Sequence, residues 1–224
     1  MKRRLMIIFG VGVPIGILML IIKNTLNIED SRFFKYYIVF SIVIIALAVI
    51  INCIYQIKFC KRVNTLIKDL RENDDVDFFI SEMQNLLGKS KSAFRKSILL
   101  INISYGYSKK GQYENALQTL EAIDLKTIKG VNNSIYNINK ISFYFHLKNY
   151  SQVINLVEQY NMEFEKLQNH SQIAWNIEAT KIYYNIAKGE IEEANKILQK
   201  AKEKWTTKEM VEEWKLIEER IAEY

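Results

Sequence analysis

The chain has 224 residues, 49% of them apolar, and 31 Lys and Arg against 25 Asp and Glu, for a formal charge of +6. That excess is local: residues 1–62 hold nine basic side chains against Glu29 and Asp30, a net of +7, which leaves 22 basic and 23 acidic residues beyond them, a net of −1. A near-neutral C-terminal two-thirds gives no electrostatic footing for a phosphate backbone, so no nucleic acid is expected as a partner.

The first element is the uncharged run LMIIFGVGVPIGILMLII over residues 5–22, and the next is YYIVFSIVIIALAVIINCIYQI over 36–57. Each supplies about the 20 residues that cross roughly 30 Å of hydrocarbon at about 1.5 Å per residue. Neither carries a polar face at the helical period, so both are read as transmembrane helices of an anchor covering 1–62. Lys2, Arg3 and Arg4 precede the first span, and Lys58, Lys61, Arg62, Lys68 and Arg71 follow the second. The loop between them offsets three basic residues with Glu29 and Asp30. By the retention of Lys and Arg on the cytoplasmic side, this predicts a multi-pass cell-membrane protein with both termini cytoplasmic. A cleaved signal peptide is the rival reading of the N-terminus, but the apolar run is long for one and KNTLNIEDSRFF offers no small-x-small site.

Within the first span, Gly12-x-x-x-Gly16 lies beside Pro14 and permits close helix approach. The expected neighbour is the second span, along Ser41, Ala46 and Ala48, with homodimerisation through Gly12 and Gly16 as the alternative. Cys53 and Cys60 are seven residues apart on one expected helix, roughly 10 Å along its axis, too far for an intrachain disulfide. The stretch KFCKRVNTLIKDLREN is expected to carry the second helix out of the bilayer.

Beyond it there is no proline, and Gly88, Gly106, Gly111, Gly130 and Gly189 are read as the breaks between segments of helical spacing. Period-two alternation is absent, so the fold class is all-α. An internal repeat runs through this half. Tyr107, Gly111, Tyr113, Ala116 and Leu120 are followed by Tyr144, Lys148, Tyr150, Val153 and Val157. Gly189, Ile191, Ala194, Leu198 and Ala201 repeat the register again, while Val76, Phe79, Met83 and Leu86 form a degenerate first unit. Each such helix pair cannot bury its apolar side alone, so neighbouring pairs must complete the core.

This order of residues resembles the tetratricopeptide repeat over about 64–205, most specifically at 97–123 and 175–201. In that family an aromatic on the first helix precedes a turn Gly, and an aromatic and a small Ala follow on the second. The period here is 37 to 39 residues, not 34, and the proline that commonly ends each unit is missing. The resemblance implies a right-handed α-solenoid over 63–205 whose first helices line a concave, partner-binding surface. Transferred by register, that surface holds Asn102, Tyr105 and Lys109, then Asn139, Phe145 and His146, then Asn176 and Tyr183. Asn amides both donate and accept, so stacked Asn side chains suit a peptide backbone. Ile101 and Ile138 stand where the family's carboxylate-clamp variant has Lys, which argues against recognition of a C-terminal carboxylate.

Residues 206–224 read as a C-terminal capping helix. Thr206 and Glu209 resemble a capping box, and Met210, Trp214, Ile217 and Ile221 lie on one side. Glu209, Glu212 and Glu213 suit the positive end of the helix.

Enzyme chemistry finds no pattern. Gly88-Lys89-Ser90 is the tail of a phosphate loop, but the required first glycine is Met83. His146, His170 and the two cysteines form no metal or nucleophile motif, so no cofactor is expected. Abundant Ile, Lys and Asn with one Pro are compatible with an AT-rich bacterial genome. The expectation is therefore a membrane-anchored, non-enzymatic scaffold that binds a protein or peptide partner at the cytoplasmic face. The alternative is an assembly subunit of a membrane complex acting through its transmembrane hairpin.

Overall fold

The computed structural model describes residues 2–224, with the side chains of 13–224. Among the described residues there are ten α-helices, one 3₁₀ turn and no strand, so the chain is all-α. It divides into two compact units, residues 1–62 and 63–224.

The first unit holds α1 (Lys2–Thr25) and most of α2 (Asp30–Asn73). The turn between them passes through Asn27 at φ 49° and is tied by an ion pair of Lys23 with Asp30. No Gly or Pro occurs between Gly16 and Gly88, so nothing interrupts α2 for 44 residues, about 66 Å at the helical rise. Among the described residues, α2 alone is long and apolar enough to cross a membrane, with a stretch of mean hydropathy 2.8 that no protein atoms bury. In α1 the stretch Val13–Thr25 is a shorter apolar helix, and the side chains of the predicted span before it lie outside the described residues.

The expected packing of the glycine face on the second span is not formed at Gly16, where an added Cβ would meet no atom within 4 Å. Ala46 and Ala48 stay exposed, and Ser41 gives its hydroxyl to the Tyr37 carbonyl of its own helix. Gly12 lies outside the described side chains.

The second unit begins with the last turns of α2, where Val63, Leu66 and Leu70 are buried on one side. It continues through α3 (Val76–Lys89), α4 (Ala93–Lys109), α5 (Tyr113–Glu121), a 3₁₀ turn (Leu125–Thr127), α6 (Val131–His146) and α7 (Tyr150–Leu167). Then follow α8 (Ala174–Lys188), α9 (Ile191–Lys204) and α10 (Lys208–Ile221). From α3 to α10 each helix packs on the next, and α4, α6 and α8 also touch in succession.

One turn is built three times. After α4, the Gly111 N–H donates to the Ser108 carbonyl at 2.9 Å and Gln112 N–H to Tyr107 at 3.0 Å. After α6, Lys148 and Asn149 make the same bonds to Phe145 and Tyr144, both at 2.9 Å. After α8, Gly189 and Glu190 bond Ile186 and Asn185 at 2.9 and 2.8 Å. The residue that reverses the chain is left-handed each time, with φ 70° at Gly111, 57° at Lys148 and 78° at Gly189. These bonds satisfy the last carbonyls of each helix. Five residues past each of these positions, Ala116, Val153 and Ala194 are all fully buried. The small or β-branched side chain there lets each second helix lie close on the first.

Gly106 corrects the sequence reading: it breaks no helix but sits inside α4. A Cβ there would lie 2.7 Å from Ile80 Cγ1 and 3.2 Å from Phe79 Cδ1, so its missing side chain is what allows α3 to approach. Buried residues of the core include two clusters, beside the buried Leu66, Phe79, Met83 and Leu99 of α2 to α4. One lies among α4, α5 and α6 around Ile101, Ala116, Leu120 and Phe143. The larger spans α6 to α10 around Ile141, Phe145, Ile182, Leu198, Trp214 and Ile217.

Candidate partner-binding face

The surface shared by α4, α6 and α8 is where the sequence placed a binding face. Its residues are now distributed as follows. Tyr105 and Lys109 of α4, His146 of α6 and Tyr183 of α8 all converge, but on α10. The Tyr105 hydroxyl donates to Glu209 Oε1 at 2.7 Å, and Lys109 Nζ donates to Glu212 Oε2 at 2.5 Å. Glu213 Oε1 accepts from the Tyr183 hydroxyl at 2.6 Å and lies 3.1 Å from His146 Nε2. Arg71, at the end of α2, stands 3.6 Å from Glu209.

Asn139 and Asn176 are half-buried and line a cavity of about 300 Å³ between these three helices and α10. Asn102 does not join them. Its amide donates to the Ile98 carbonyl of its own helix at 2.7 Å, and it is not among the residues lining that cavity. Phe145 is likewise not on the face. It is fully buried in the larger core cluster and stacks on Tyr183 at 4.3 Å between ring centroids. A rotation of about 100° per residue separates Phe145 from His146, enough to put one in the core and the other at the face.

The C-terminal helix is held on two sides. Trp214 and Ile217 are buried in the larger core cluster, with the Trp214 indole N–H donating to the Trp205 carbonyl at 3.0 Å and its ring edge-on to Trp175. Its three glutamates face α4, α6 and α8. The expected capping box is not formed: the residue preceding the helix is Thr207, which makes no side-chain cap bond, and Glu209 reaches across to Tyr105 instead. A strong donor at hydrogen-bond distance outcompetes a local backbone N–H that water can also satisfy.

The electrostatics follow from this enclosure. Burial alone would raise the Glu213 carboxyl, but the bonds from His146 and Tyr183 and the charge of Lys109 outweigh it and hold the group below the ordinary glutamate value. Burial, then the charge of the adjacent glutamate, pushes Tyr105 and Tyr183 well above 10.0, so both hydroxyls stay protonated donors. Tyr113, stacked on His146 at 4.4 Å, is pushed up to about 12, first by burial and then by Glu213. Asp74, after α2, is held low by its bond to Lys208, which ties the first turn of α10 to the far end of the face.

Sequence reasoning assigned Glu209, Glu212 and Glu213 only to the helix end. The signal that would have found their role is the E-x-x-E-E spacing, which puts three carboxylates on one side of a helix whose other side is Trp214 and Ile217. Among the described residues no group of three or more His, Cys, Asp or Glu side chains is arranged to hold a metal ion. No family model matches this chain, and no curated protein or solved structure matches it either.

Proposed function

We propose that the chain is a membrane-anchored scaffold whose second unit is a tetratricopeptide-like α-solenoid that binds a protein or peptide partner on the α4/α6/α8 face. It acts by binding and not by catalysis. In this reading α1 and the apolar part of α2 are two spans of the cell membrane, both termini are cytoplasmic, and the partner is met at the cytoplasmic face. The thrice-repeated turn and the burial of Ala116, Val153 and Ala194 support the repeat. The observation that carries the binding role is that this face already accepts a helix: α10 lies against it through side-chain bonds from all three of its helices. A photo-crosslinker at Asn139 or Asn176 in the full chain, in intact membranes, should capture a partner that one at Lys196, on the far side of the second unit's α9, does not. Capture from Lys196 and not from Asn139 would reject the face.

A second reading rests on the first unit. The open surface at Gly16 and the exposed apolar side chains of α2 suit contacts between spans, either in a homodimer or in a larger complex. Exchanging both spans for an unrelated hairpin separates the readings, since retained function would exclude this one.

A further inference from the structure

The helix α10 is joined to α9 by only three residues, 205–207, and meets the α4/α6/α8 face through carboxylates at positions i, i+3 and i+4. Every helix of that face supplies a donor: Tyr105 and Lys109 from α4, His146 from α6 and Tyr183 from α8, with Arg71 at the edge. No local segment could build this array; it exists only because three helices separated in sequence lie side by side. We propose that the face is a receptor for an acidic amphipathic helix, that α10 is its resident occupant, and that a partner helix with the same carboxylate spacing replaces α10. This rests on the binding role proposed above and names its ligand chemistry.

Charge complementarity carries the assignment. With α10 lifted away, Arg71 and Lys109 lose Glu209 and Glu212, His146 and Tyr183 lose Glu213, and these donors are left without their carboxylate partners, while at the edge Asp74 loses Lys208. A basic or neutral helix would leave those donors desolvated and unpaired, which is the costly arrangement. An acidic helix restores each bond. The resident fit is also incomplete. The cavity of about 300 Å³ beside the glutamates is lined by Asn139, Ser142 and Asn176 together with apolar Phe143, Trp175 and Leu216, space that larger side chains on a partner helix would fill.

The affinity of such a partner is reduced by the fraction of molecules in which α10 is docked, since the face is open only in the remainder. The test uses the full chain in nanodiscs and a fluorescent peptide of the sequence 206–224. Wild type should bind the peptide weakly, and Trp214→Ala, which removes the anchor of α10, at least about tenfold more tightly. A protease site inserted between Thr206 and Thr207 frees α10 with no buried side chain changed, and cleavage should give the same gain. A peptide with Glu209, Glu212 and Glu213 all changed to Gln should lose at least about tenfold. A peptide carrying Glu212→Lys should also fail, and recover on a Lys109→Glu receptor. Equal binding of the Gln peptide would overturn the acidic-helix assignment while leaving a partner-binding face intact. No binding after cleavage would overturn it too, as would a stable dimer with α10 exchanged between copies, which would make a second copy the occupant. Loss of Asn139 crosslinking in membranes would instead strike the broader binding role.

Discussion

Replacing Trp214 by Ala tests whether α10 is held by one anchor. The side chain is 2% exposed, its N–H bonds the Trp205 carbonyl, and its ring meets Trp175 edge-on at 6.2 Å. Removing a buried Trp costs about 3 to 5 kcal/mol through lost burial and the cavity left behind. Because α10 ends the chain, that loss falls on local opening of α10 before it falls on global unfolding. At about 1.4 kcal/mol per tenfold, amides of α10 should exchange roughly 100- to 4,000-fold faster. Hydrogen exchange read by mass spectrometry on the full chain in nanodiscs gives the number peptide by peptide. Amides of α5 are the internal control, since its cluster around Ala116 and Leu120 does not include Trp214. Trp214→Phe, which keeps much of the apolar contact but not the N–H bond, should show a smaller effect. Unchanged exchange in α10, or an equal rise in α5, would refute the idea of a separately opening helix.

Docking of α10 should depend on pH at both ends. The Glu213 carboxyl is lower in the folded chain than its ordinary 4.5, so its contribution is complete above that value and lost as pH falls through the folded one. Exchange in α10 should therefore rise below about pH 4.5, and Glu213→Gln should flatten that rise while weakening docking at neutral pH. Tyr105 and Tyr183 are raised, so their contribution is complete below 10.0 and declines above it, giving a second, alkaline release. Gly106→Ala should lower the melting temperature despite the better helix propensity of Ala, because its Cβ would overlap Ile80 at a cost of about 1–3 kcal/mol. Gly88→Ala, with open space around it, should be neutral or stabilising in the same melts. Lys148→Gly should stabilise by about 1 kcal/mol in thermal melts, since Lys there is held at φ 57° where Gly111 and Gly189 carry no Cβ strain.

Features under local control were legible before any packing was known. Helical period and the absence of Gly and Pro after Gly16 specify α2 through Asn73, including its continuation beyond the apolar run. Gly111, Lys148 and Gly189 mark the three reversals because a left-handed residue is a property of one position and its immediate hydrogen bonds. The apolar positions of each second helix, down to Ala116 and Ala194, follow from the same register. The register also named Tyr105, Lys109, His146 and Tyr183, which the structure brings together against α10.

Their common target, α10, emerged only from the packing of helices distant in sequence. A capping helix and a helix laid across the face have the same sequence pattern, since both need one apolar side and one charged side. Glu209, Glu212 and Glu213 became ligands of the face because residues more than 60 positions away in α4 and α6, and 30 away in α8, arrive at the same place. Gly106 changed from a break to a contact for the same reason, the approach of α3. Phe145 left the face because adjacent residues differ by about 100° around a helix, so a small error in the facing direction moves a side chain from surface to core. Periodicity gives the existence of a face; only the packing of several helices sets its angle and what lies against it.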